Sequence, residues 1–259
     1  MFEFLQYAFM QRSFVAGIII AVVCSVIGNF LVMRRMALIG DGLAHIAFGG
    51  LTIGLALRLY PLWTALGIAV VSVIIINEVR TRAKLYGETA IGVLFSAGLA
   101  IGAVMLSKTK GLSVDVFSYL FGSLLTVTSQ DIYIILGLGV LILLIIGILY
   151  KELLFIAFDE ESATASGIPV KILDIILLSA TAVTVVISMQ VVGILLVSSL
   201  IFIPTVTALQ FANGFKKTLI YSIVASVASV IVGLTSAYYL DAAAGGMIVL
   251  TSICFFVVA

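Results

Sequence analysis

Two side chains able to hold a metal ion stand four residues apart in an otherwise apolar run, Met36-Ala-Leu-Ile-Gly-Asp-Gly-Leu-Ala-His-Ile-Ala-Phe-Gly-Gly50. They are Asp41 and His45, and His45 is the only histidine in 259 residues. On a helix, positions i and i+4 share a face, so carboxylate and imidazole would be presented together. That pair suits a borderline divalent cation such as zinc, manganese or iron. Two donors are too few for a tight site, but two copies related by a twofold axis near this helix would bring four together. An ionisable group in hydrocarbon costs about 2.5–3.5 kcal/mol on insertion scales, so each calls for a compensating role. The plainer reading is a helix start, with Asp41 favoured by the N-terminal dipole and His45 bonded to it. Gly40, Gly42, Gly49, Gly50 and Gly54 permit close backbone approach between helices and place this segment in the protein interior.

Other residues could serve a cation path, each with a bland counterpart. Glu88 starts a span and reads as path lining or as a helix-start carboxylate. Asp115, Asp131 and Asp241 fall together on one side of the chain's alternation. There they could attract a cation at an outer path or gate, or cap helices at an aqueous edge. Ala242-Ala-Ala-Gly-Gly246 follows Asp241, and such small residues let a gate close tightly. Pro204 removes a backbone donor from an apolar span and predicts a kink, with a hinge beside Ser198 and Ser199 as the functional version. The scattered methionines read as packing, as do Cys24 and Cys254, which lie in apolar runs at opposite ends of the chain.

These residues must be positioned by membrane-spanning helices. The chain is 63% hydrophobic and 10% charged, with mean hydropathy +1.36, whereas a soluble domain is about 25% charged. It is therefore read as an all-α, polytopic membrane protein forming one domain, 1–259. A net charge of +1 gives no electrostatic case for a nucleic-acid partner. Spans are expected near 14–33, 39–58, 62–79, 88–107, 131–150, 172–189, 191–211, 218–239 and 245–258. That makes nine, or eight, since the last is short and 191–211 follows 172–189 with almost no turn. Val114–Thr126 is too short to cross and is placed at the surface or dipping in and out. No cleavable leader is read at the start. Nine of the 13 basic residues, Arg34, Arg35, Arg80, Arg82, Lys84, Lys151, Lys171, Lys216 and Lys217, fall on one side, and Arg12, Arg58, Lys108 and Lys110 on the other. The nine-rich side is expected to be cytoplasmic, with the N-terminus outside and the C-terminus inside.

The loop Phe158-Asp-Glu-Glu-Ser-Ala-Thr-Ala-Ser-Gly-Ile-Pro169 predicts a short, well-punctuated helix. Asp159 suits the N-cap, and Glu160 and Glu161 suit the first turn. Gly167 suits the position just past the end, and Pro169 prevents continuation. The small residues Ala163, Thr164, Ala165 and Ser166 make it either a docking knob for a partner protein or a solvated connector.

Taken in order, Arg34-Arg-Met-Ala-Leu-Ile-Gly-Asp-Gly-Leu-Ala-His45, Glu88-Thr-Ala-Ile-Gly92, Tyr119-Leu-Phe-Gly-Ser123, Phe158-Asp159, Ala165-Ser-Gly-Ile-Pro169, Val192-Val-Gly-Ile-Leu-Leu-Val197 with Ile203-Pro204, and Asp241 to Leu250 resemble the ABC-3 permeases of bacterial and archaeal importers for zinc, manganese and iron. The opening, Met1 to Arg12, resembles the zinc branch. The resemblance covers essentially the whole chain. It implies a type II ABC importer-like permease in the cell membrane and a homodimer in the lipid bilayer. It also implies two cytoplasmic ATP-binding subunits and an extracytoplasmic metal-binding protein. It places Asp41 and His45 on the translocation path and makes 158–169 the coupling helix. The coupling residues would be Phe158, Asp159, Glu160, Glu161, Ser162, Ala165 and Gly167. The metal would be cargo, zinc favoured over manganese or iron, with no permanently bound cofactor. Two departures stand out. The family loop often has proline where Glu160 stands, and the chain ends sooner after its last span than many relatives do.

The chain has no G-x-x-x-x-G-K-[ST] phosphate loop, so it is not expected to hydrolyse ATP itself by that route. The alternatives are an ATP-independent secondary transporter or channel, an intramembrane protease, and an importer permease for a chelate or vitamin. A metalloprotease would want H-E-x-x-H, which is absent. The Asp–His pair favours a bare ion over a chelate.

Overall fold

Long apolar segments without interior breakers can satisfy their backbone groups in hydrocarbon only as helices, and helices account for nearly all regular structure here. A computed structural model describes residues 7–83, 87–108, 119–122, 127–189 and 191–259. Along the chain these form α1 (Ala8–Met33), α2 (Ile39–Ala56), α3 (Pro61–Ala83), α4 (Gly87–Lys108), α5 (Ser129–Ile148), α6 (Tyr150–Phe158), α7 (Glu160–Ala165), α8 (Val170–Ser188), α9 (Ile194–Leu209), α10 (Phe215–Leu240) and α11 (Ala244–Val258). Among the described residues, seven helices are long and apolar enough to cross a membrane: α1, α2, α3, α4, α5, α8 and α10. Two further apolar helices, α9 and α11, are shorter.

The span expected at 191–211 differs in its first turn. Val191, Val192 and Gly193 form a buried bend, and α9 begins only at Ile194. Gly193 has φ +90°, a backbone conformation glycine adopts without a Cβ penalty. A side chain there would also collide with 120–122, whose nearest backbone atoms lie 2.5 Å from an added Cβ. The described part of Val114–Thr126 therefore dips into the protein and packs on this bend. Asp115 lies outside the described residues.

Helix ends sort into two groups. Rings of Phe30, Tyr150 and Phe215 meet at centroid distances of 5.1–6.1 Å, which puts the end of α1 and the starts of α6 and α10 together. Arg34, Arg35, Lys151, Lys216 and Lys217 adjoin this cluster in sequence. Ion pairs from Arg34 to Glu160 and Asp174 add α7 and the start of α8. At the opposite end, Tyr7 packs on Tyr238 at 6.4 Å, joining the start of α1 to the end of α10. Asp241 follows there, exposed, with the left-handed φ of +49° that ends α10. Asp131 is likewise a cap. It accepts from the Thr128 amide at 2.9 Å and hydroxyl at 2.6 Å, while its own amide donates to Thr128 Oγ1 at 3.2 Å, a reciprocal capping box.

The core surrounds α1 and α2. Helix α2 packs against α3, α4, α8 and α9. Its glycines face those neighbours: Gly40 meets α9, Gly42 and Gly49 meet α4, and Gly50 and Gly54 meet α3. The stripe is an interior packing surface, as its spacing predicts.

Candidate metal path at Asp41 and His45

The α1–α2 connection is sunk below the charged end of the bundle. Met36, Ile39 and Gly40 are buried, so α2 starts inside the protein. Gly17 of α1 meets Val191, and Gly28 meets Ile201, so α9 runs parallel to α1. Asp41 lies level with Ser198, between those two contacts, and His45 lies one turn further in. The pair is therefore deep within the helical bundle.

Asp41 is half-buried and occupies the first turn of α2. Its Oδ1 accepts a 2.5 Å hydrogen bond from the Ser198 hydroxyl of α9, a charge-assisted bond that fixes the carboxylate. His45 is 8% exposed. One side of its ring is covered by Phe95 of α4, at a centroid distance of 4.0 Å and 57°. Its Nδ1 is buried without a hydrogen-bond partner. An unpaired buried nitrogen costs its desolvation, and a passing cation would relieve that cost. Helix α4 comes this close because residue 98 has no side chain. A Cβ on Gly98 would stand 2.3 Å from the His45 carbonyl oxygen.

Three helices thus frame the site: α2 with its two donors, α9 with Ser198, and α4 with Phe95 and Gly98. Among the described residues no group of three His, Cys, Asp or Glu is placed to hold a metal, and Asp41 and His45 are the two such donors brought together here. Glu88 is in the first turn of α4, with its side chain outside the described residues. Asp241 ends α10, at the far end of the bundle from the start of α2.

Helix α9 runs through Pro204. Proline has no amide hydrogen, so the Leu200 carbonyl loses its usual donor. One residue on, Ile201 O lies where a Cβ on Gly28 would be only 1.9 Å away, so α1 crosses α9 in near backbone contact beside the proline.

The loop helix forms as its residues predict. Asp159 accepts from the Ser162 amide at 2.9 Å and hydroxyl at 2.5 Å, and these donors hold its carboxyl below the usual value of 3.8. At the other end Ile168 N–H donates to Ala163 O at 3.1 Å and Gly167 N–H to Thr164 O at 3.0 Å. Gly167 has φ +82°, which completes a Schellman motif. Only Ala163 of α7 is buried. Glu160, Glu161, Ser162, Ala165 and the 64%-exposed Phe158 face outward.

Four site residues escape a reading of local pattern: Ser198 as partner of Asp41, Phe95, Gly98, and Asp174 as partner of Arg34. Asp174 had a usable signal, being the only carboxylate inside α8, and intramembrane carboxylates are functional candidates. The other three are set by contacts between helices distant in sequence.

An α-helical polytopic bundle holding a carboxylate and an imidazole at its centre, with a capped helix projecting at one end, has the architecture of a membrane permease. Residues 6–259 match the model of the ABC 3 transport family. A "probable metal transport system membrane protein" of Treponema pallidum is 35% identical over 96% of this chain and 93% of its own length. The "manganese transport system membrane protein MntC" of Halalkalibacterium halodurans is 33% identical over 99% of this chain and 88% of its own length. Among solved structures, PsaBC from Streptococcus pneumoniae in complex with Fab superposes with TM-score 0.85 at 33% identity, covering 98% of this chain and 91% of that one. An inward-facing, putative metal-chelate type ABC transporter shares the fold, with TM-score 0.77 at 16% identity. The chain belongs to the ABC 3 transport family. It is a metal ABC transporter permease subunit, a multi-pass membrane protein and not itself an enzyme.

Proposed function

We propose that this subunit carries a bare divalent transition-metal ion through the membrane by alternating access, with Asp41 and His45 as its ligands on the path. The single observation behind this reading is the buried, unpartnered Nδ1 of His45 beside a carboxylate anchored by Ser198. A site with donor capacity in reserve can take a cation and release it, as transport requires. A second copy of the chain would contribute the other half of the ligand set across a twofold interface. The nine-rich charged end is cytoplasmic in this reading, with the N-terminus outside. Two ATP-binding subunits seat on α7 there, and an extracytoplasmic binding protein delivers metal at the other end. Asp115 and Asp241 then serve the outer path or gate, Glu88 lines the path, and Pro204 hinges α9.

The composition of the site alone does not rank zinc, manganese and ferrous iron, because affinity order is no guide to cargo. Relatives named for manganese move the balance from zinc to manganese. The test is uptake into proteoliposomes that hold the permease with its ATPase, supplied with the binding protein and each of the three ions. ATP-dependent uptake, with manganese the strongest competitor, is expected. Uptake that proceeds without ATP would assign a secondary transporter, and uptake of a chelate alone would remove the bare-ion reading.

A further inference from the structure

Arg34 closes α1 with its side chain only 4% exposed, and its guanidinium serves two carboxylates. Nη1 and Nη2 both donate to Asp174 of α8, whose side chain is 3% exposed. Nη2 also donates to Glu160 Oε2 at 2.9 Å, and Glu160 is 56% exposed. The planar fork of arginine makes this double service feasible, where a lysine offers a point charge. The two halves of the bridge differ physically. Opening the buried pair would separate two charges that are both held away from water, so that pair stays closed. An ion pair with one side in water is weak and exchangeable.

Glu160 is the first residue of α7, directly after its N-cap. Helix formation does not need a glutamate there, because proline suits the first helical position as well. What Glu160 adds is the carboxylate that reaches Arg34. Apart from this, α7 presents to the bundle one buried side chain, Ala163.

We propose that Arg34 and Glu160 form a releasable latch, with Arg34 pinned as a permanent post by Asp174 and Glu160 clamping α7 to the ends of α1 and α8. Movement of α7 is then delivered to the helix that leads directly into Asp41. Both are positioning residues, and neither belongs to the metal site. The inference rests on the reading of α7 as the coupling helix.

The test uses the permease–ATPase complex with binding protein in proteoliposomes and compares wild type with Glu160→Gln, Glu160→Pro, Arg34→Lys and the Arg34→Lys/Glu160→Gln double variant. Two quantities are read. The first is metal transported per ATP hydrolysed. The second is the distance distribution between spin labels at the exposed positions Leu38 and Ser166 in a Cys254→Ser background. Each single variant is expected to assemble, to lower the transport ratio at least roughly two-fold and to broaden the label distances. The double variant should be no worse than either single, since all remove one interaction. A wild-type ratio in both the Gln and Pro variants overturns the proposal, whatever the label distances; so does an additive double variant. If the wild-type complex moves no metal with ATP, the functional reading fails instead. The label distances then still decide whether Glu160 restrains α7, unchanged widths overturning the latch.

Discussion

The intramembrane pair and the short helix α7 with its Arg34 bridge satisfy their polar groups in opposite ways. At α7 every feature is closed: Asp159 takes two bonds from Ser162, a Schellman motif satisfies the last carbonyls, and Arg34 bonds two carboxylates. At Asp41 and His45, one hydrogen bond to Ser198 and one ring contact to Phe95 are opposed by an unpartnered imidazole nitrogen. The contrast follows from what each region does. A place that passes force must hold its shape, and the capping bonds of α7 and the buried Arg34–Asp174 pair do that, while the exposed Glu160 contact is the part that can open. A place that holds a cargo briefly must keep a donor in reserve and bind weakly enough to let go.

Substitutions that exchange these properties should have unequal effects. The largest is expected at the saturated end. Arg34→Met removes the guanidinium from the buried Asp174 carboxylate, and breaking a buried pair costs about 3–5 kcal/mol; thermal unfolding of the purified permease should show the loss, and Arg34→Met/Asp174→Leu should recover most of it. Next comes the framing of the open site. Gly98→Ala puts a methyl group into the His45 carbonyl, so α4 must move; overpacking of this kind costs about 1–3 kcal/mol, and metal uptake should fall even where the protein still assembles. Ser198→Ala should cost stability by no more than about 1–2 kcal/mol, because the half-buried Asp41 can recover a bond from water. It frees the Asp41 carboxylate and weakens metal affinity about ten-fold, the range seen when a ligand loses its supporting hydrogen bond; a metal titration of the assembled complex reads this directly. The smallest effect concerns pH. The Asp159 carboxyl is held below its ordinary value, so its cap is fully present above that value and is lost as pH falls through the lowered one. Hydrogen exchange over 160–166 should therefore show no pH-linked loss of protection between neutral pH and about pH 5. Asp159→Ala should exchange faster throughout that window.

Much of this contrast is legible in the sequence, and unevenly so. The α7 helix can be read to the residue because its signals are local: Asp159, Gly167 and Pro169 lie within one short loop and act through bonds a few residues long. The Asp41–His45 pair can be read by residue type and spacing, since a carboxylate and the lone histidine in an apolar run are anomalous on cost alone. Their surroundings cannot be read that way. Ser198 reaches Asp41 across 157 residues, and Gly98 matters only because α4 packs on α2. The buried bend at 191–193 eludes hydropathy for a related reason. Its residues are as apolar as those of a span, and only contact with 120–122 and Gly245 distinguishes a bend from a helix.

Passage of metal through Asp41 and His45 can be read from radiolabelled manganese uptake in the reconstituted complex, with Asp41→Asn and His45→Gln beside wild type and with assembly and basal ATP hydrolysis measured in the same preparations. Uptake at background is expected in both variants, with the complex intact and still hydrolysing ATP. Wild-type uptake in both would contradict it: the pair would then be a helix-start feature of α2, and the ion would cross elsewhere.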